Sequence, residues 1–132
     1  MAAFNKFHCF VQDVANAYKI YLTNTAPVVS NTVYNAPADL ATGNGYTAGG
    51  NSIGTVTGAQ TTGTFKFVGS ADPIWTASGG SIGPFQYAVL YNSTPSTKPL
   101  IGWWDYGAAV TLTNGNTFTV DLDQANGILT IT

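Results

Sequence analysis

The chain has 132 residues, enough for one domain that buries roughly two thirds of the surface its unfolded form exposes. Apolar residues make up 45% and charged residues only 8%, against about 25% in an average globular protein, so solubility falls to the 19 Thr, 11 Asn and 7 Ser. Arg is absent, the cations are Lys6, Lys19, Lys66 and Lys98, and the formal charge is -2, which excludes the clustered basic surface and guanidinium contacts that nucleic acid requires.

Met1 to Cys9 holds no continuous apolar run of signal-peptide length, and no stretch approaches the ~18 apolar residues of a membrane span. The expectation is a protein made and kept soluble. From Phe4 to Tyr18 the apolar residues fall at 4, 7, 10, 11, 14, 15 and 18, with Asn5 as a cap, which predicts a short amphipathic helix. That segment either packs on its own sheet or forms an arm that reaches a neighbouring subunit. Phe4, Phe7 and Phe10, three aromatics at every third position, are too many to leave in water and are candidates for partner contact.

KIYLT at 19–23 is strand-like, and 24–50, with Pro27, Pro37 and NGYTAGG at 44–50, is a long loop of the kind that often carries function. After Asn51 turn residues punctuate the chain at short intervals and predict strands at 52–59, 63–68, 73–77, 85–92, 99–106, 108–113, 117–123 and 127–132. The class is all-β: one domain over 1–132, a single antiparallel sandwich or barrel with an N-terminal helix or arm over 1–18. Phe118, Val120 and Leu122 alternate with polar residues, and Asn114-Gly115 and Asn126-Gly127 are dipeptides suited to type I′ turns. Residues 108–132 are therefore expected to form a three-stranded meander.

Little in the sequence suits catalysis. Cys9 is the one Cys and His8 the one His, short of a structural zinc site, and helical neighbours point about 100° apart, so the two do not face each other as a dyad. Asp121 and Asp123 share a strand face as i, i+2 carboxylates, which leaves no gap for a substrate between them. DLDQANG at 121–127 departs from a calcium loop in its third ligand and its Gly, and no Glu closes it. The Gly-rich pieces at 43–45 and 79–83 lack the Lys and helix of a phosphate cradle and read as turns. No catalytic, cofactor or metal residue is assigned. What remains is an aromatic set, Trp75, Tyr87, Tyr91, Trp103, Trp104 and Tyr106, serving either as core and intersubunit packing or as a platform for sugars. Trp103 and Trp104 are adjacent in a strand and must point to opposite sides, so one of them is expected to be exposed, and the pair is the second candidate for partner contact.

The strings FVQDVAN at 10–16, YLTNTAPVVSNTV at 21–33, GNGYTAGG at 43–50, ASGGSIGPFQYAVLYN at 77–92 and KPLIGWWDYGAAVTLTNGNTFTVD at 98–121 together resemble a family of small structural proteins encoded by tailed phages. The resemblance implies a virion component made in the host cytoplasm, above all a capsid decoration or cement protein. Such a protein would be a homotrimer at local three-fold positions, bridging subunits of the major capsid protein, with no cofactor and no nucleic-acid or membrane partner. A tail or fibre component is the alternative within the structural class, and a glycan-binding module that uses the tryptophans is the alternative outside it.

Overall fold

YKIYLT carries large side chains on both faces, which suits a strand covered on both sides. In the computed structural model, which describes residues 16–61 and 63–131, Tyr18–Thr23 is β1, an inner strand. β2 (Asn51–Ser52) and β6 (Ile82–Asn92) flank it, and β7 (Leu100–Leu112) pairs with the far side of β6, giving a four-stranded sheet in the order β2-β1-β6-β7. β3 (Val56–Thr61), β4 (Thr64–Gly69) and β9 (Leu129–Ile131) form a second sheet, and β5 (Ile74–Thr76) pairs with β8 (Thr117–Thr119). Every pairing between these strands is antiparallel, and the one helical piece among the described residues is a 3-10 turn at Ala36–Ala38. The expected all-β, antiparallel class is the one the chain adopts.

One apolar cluster draws on all three sheets: Tyr18, Ile20 and Leu22 meet Val56, Phe67, Trp75, Phe85, Leu112 and Leu122. Ile20, Leu22 and Ile53 have no exposed surface, and truncating such a side chain to Ala costs about 2–5 kcal/mol. Trp75 lies between the rings of Tyr46 and Phe118, at 6.4 and 6.3 Å, while its indole N–H finds no acceptor among the described residues. On the other face of the four-stranded sheet a smaller cluster, Tyr21, Val89 and Tyr91, is covered by Tyr34 and Leu100. The sheet is thus buried on both sides along β1 and the second half of β6, but not along β7.

Several expected boundaries move, each for a local reason. Tyr18, expected to close the helix, is the first residue of β1, and its buried side chain meets Phe67 edge-on at 5.0 Å. The strand expected at 52–59 divides at Gly54, whose φ of +78 turns the chain where a Cβ would sit 2.2 Å from Ser70 Oγ. The strands expected at 99–106 and 108–113 are one, β7, which passes through Gly107 at φ +91.

The meander expected over 108–132 does not form: β7 pairs with β6, β8 with β5, and β9 with β4. At Asn114-Gly115 only Gly115 has positive φ, so the turn does not fold the chain back as a type I′ hairpin. Tertiary burial decides the pairing instead, because β8 gains Trp75 opposite Phe118. The expected strand 117–123 stops at Thr119, after which Val120 N–H donates to Pro73 C=O and Leu122 N–H to Asp72 Oδ1, at 3.0 and 2.9 Å. Positive φ at both central residues occurs at Asn44-Gly45, between Gly43 and Tyr46, whose backbones exchange two 2.9 Å hydrogen bonds.

Candidate contact surface

β7 is an edge strand of 13 residues with the sequence LIGWWDYGAAVTL, which holds no Lys, no Pro and one charge, Asp105. Its register is regular only from Gly102 opposite Leu90 to Asp105 opposite Tyr87. Beyond that, two steps of β6 from Phe85 to Tyr87 face five steps of β7 from Val110 to Asp105, a bulge that throws out Tyr106, Gly107, Ala108 and Ala109. Asp105 Oδ1 pins this bulge by accepting Gln86 Nε2 at 2.9 Å and Gly107 N–H at 2.7 Å; the Gln86 amide first, then the Gly107 N–H, hold its carboxyl below the usual range.

Trp103 and Trp104 point to opposite sides as expected, but both rather than one are exposed, at 40% each. Trp103 stands opposite Val89, on the face of the small cluster, and opens a groove of about 300 Å³ with Pro27, Val28, Val29 and Ile101. Trp104 stands opposite Ala88, on the face of the main core, and opens a groove of about 230 Å³ with Gln86, Tyr106, Phe118 and Asp121. Tyr106 is anchored from below by Phe118, edge-on at 5.9 Å, and Phe118 in turn meets Phe85 at 4.9 Å. Val28, Val29, Val33, Ile101 and Tyr106 extend the exposed apolar surface on either side of the strand. Val28, Val29 and Ile101 were not singled out in the sequence; the Val-Val pair inside an otherwise polar loop is the signal that marks them.

Asn31 closes the Val28 turn, its Oδ1 accepting Val28 N–H and its N–H donating to Val28 C=O, both at 2.9 Å, and further along the loop a tyrosine and carboxylate network ties it to the sheet. Asp39 Oδ2 accepts Tyr34 Oη–H at 2.7 Å and Gly49 N–H at 2.5 Å, and its Oδ1 accepts Tyr46 Oη–H. Tyr46 Oη also accepts the buried Leu22 N–H at 3.0 Å, which ties the loop to β1. Tyr34 stacks on Tyr91 at 5.0 Å, and the Lys98 ammonium lies 5.3 Å from its ring centre. Burial, then Asp39, then Tyr91 push the Tyr21 phenol up to about 12, and burial leads the upward shifts of Tyr34, Tyr46 and Tyr91 as well. At 24–50 the loop's polar chemistry is spent on holding the fold.

Of the remaining sequence candidates, Trp75 and Tyr91 are core residues and Tyr87 is half-buried. Asp121 and Asp123 lie beyond the end of β8, so they do not share a strand face. Asp123 Oδ1 accepts Ala125 N–H and Asn126 N–H at 3.0 and 2.8 Å and its Oδ2 accepts Asn126 Nδ2 at 2.8 Å, which makes DLDQANG a capped turn. Phe4, Phe7, Phe10, His8 and Cys9 lie outside the described residues. Among the described residues no helix is long and apolar enough to cross a membrane. No family model matches the chain, and no curated protein or solved structure matches it either.

Proposed function

We propose that this chain is a non-catalytic structural protein whose β7 faces dock on other protein subunits, acting as a capsid decoration protein of a tailed-phage particle. The observation that carries the docking role is the pair Trp103 and Trp104, each 40% exposed, on opposite faces of one strand. Interface energy concentrates in a few aromatic anchors that fill pockets, and a protein with 8% charged residues has little else to bind with. The assignment to a phage capsid is supported by the string resemblance. Phe4, Phe7 and Phe10 would add to the same contact, and the partner is the major capsid protein. Binding across subunit joints favours the assembled state by mass action.

The test is a double variant, Trp103→Ser with Trp104→Ser, added to virions assembled without this protein. Cosedimentation should be lost while the circular dichroism spectrum shows the variant still folded at the binding temperature; retained binding overturns the role of β7. A second reading, a glycan platform, is favoured by one observation: Trp104 and Tyr106 share a groove with Gln86 and Asp121. Binding of the wild type to a glycan array, with none to virions, would establish that reading instead.

A further inference from the structure

β7 has a second property that its faces do not use. Its backbone is bonded to β6 along one edge, and on the other edge, among the described residues, only Leu100 N–H is engaged by another segment, donating to Thr32 C=O at 3.0 Å. An open edge flanked by large apolar side chains, without Lys or Pro to blunt it, is a template for another strand. The window is short. It begins after Leu100 and ends at the bulge over 106–109, so about five residues, Ile101 to Asp105, can accept a partner.

The side chains in that window select the partner. Antiparallel residues that face each other share a sheet face, so a strand paired with a copy of itself about Trp103 sets Trp103 against Trp103 and Gly102 against Trp104, twice. Gly102 is the one residue here without a side chain, and a Cβ built on it meets nothing within 4 Å. That open space lies on the Trp104 face, where the opposing indole would enter. The other edge strands among the described residues match less well: β2 has two residues, β5, β8 and β9 have three each, and β3 reads VTGAQT with no aromatic. The two indoles in the window leave on the order of 200 Å² to bury toward the about 800 Å² per partner of a specific dimer. Ile101, Val28 and Val29 flank them.

We infer that two copies of this chain pair through β7, antiparallel and centred on Trp103, into one continuous eight-stranded sheet with two-fold symmetry, in place of the three-fold symmetry that the resemblance implies. The dimer covers part of the same indoles that the docking role uses, so sedimentation of the protein alone and cosedimentation with virions report the two properties separately.

Sedimentation of the full chain under reducing conditions, across about a hundredfold range of concentration, should show a monomer–dimer equilibrium. Gly102→Val should raise the dimer dissociation constant more than about tenfold, because it fills the space the partner's indole takes, while its melting temperature holds or rises. Hydrogen exchange supplies the independent reading: the amides of Trp103 and Asp105, which point away from β6, should be protected at high concentration and exchange on dilution. A monomer throughout, a trimer, or a dimer indifferent to Gly102→Val with unprotected Trp103 and Asp105 amides would each overturn the inference. Loss of virion binding by a protein that still dimerises would count against the decoration role alone.

Discussion

Trp103 and Trp104 are neighbours in sequence and equal in exposure, yet one stands over Val89 and the other over Ala88, on opposite faces of the same sheet. A core strand exposes neither face and a half-buried strand exposes one, whereas β7 exposes an indole on each face. The contrast with Trp75, 1% exposed, gives the first prediction. Trp103→Ser or Trp104→Ser should each cost about 1–2 kcal/mol, while Trp75→Ala should cost about 3–5 kcal/mol. Urea denaturation of the three variants measures this, and equal losses would mean that the β7 tryptophans are core.

Gly115→Val should destabilise by about 1–2 kcal/mol and Thr119→Val by less than about 0.5 kcal/mol. Gly115 has φ +88 and open space around its Cα, so the whole effect of Val there is backbone strain. Thr119 is exposed in β8, where a β-branched residue is at home. Equal midpoints would show that the strain at 115 is relaxed by movement of the turn.

Tyr46→Phe removes a hydroxyl that accepts Leu22 N–H and donates to Asp39, leaving a buried amide without its acceptor. The expected cost is about 1–3 kcal/mol. Thr25→Ala, at an exposed loop position, is the control that should stay near wild type. A neutral Tyr46→Phe would indicate that the Leu22 amide finds another acceptor.

The same network sets the alkaline limit. The Tyr21 phenol is raised from 10.0 to about 12, so the folded protein holds its proton over a range in which the unfolded chain has lost it. Stability should therefore be level below pH 10 and fall as pH rises from 10 towards 12. Tyrosinate absorbance followed with denaturant midpoint checks the sign; a midpoint that rises above pH 10 contradicts it.

The strands were largely legible where the chain obeys local rules. The tripeptide 117–119, the alternation through Leu122 and the buried run at 19–23 all lie where pattern and propensity agree with burial. The pairing partners were not legible, because β5 reaches β8 across more than 40 residues and the gain comes from Trp75 meeting Phe118, which no local signal encodes. The Asn-Gly dipeptides mark turns in each case, but the turn with two positive φ values falls at Asn44-Gly45, where Gly45 passes so close to Thr76 C=O that a Cβ would lie 2.1 Å away. For the candidate surface, adjacency of two tryptophans was enough to place them on opposite faces. That both are exposed follows from β7 being an edge, a property of the sheet order.

The central claim is that the domain docks on an assembled shell through aromatic anchors, and the most direct measurement compares binding to assembled capsids with binding to free capsid subunits. Purified protein is titrated onto virions assembled without it, and bound copies are counted after sedimentation, alongside the same titration on unassembled major capsid protein. A site that spans two or three subunits exists only after assembly, so binding should saturate at about tens to hundreds of copies per particle, be absent from free subunits, and raise the temperature at which particles release DNA. Equal affinity for free subunits, or a handful of copies confined to the tail, would contradict it.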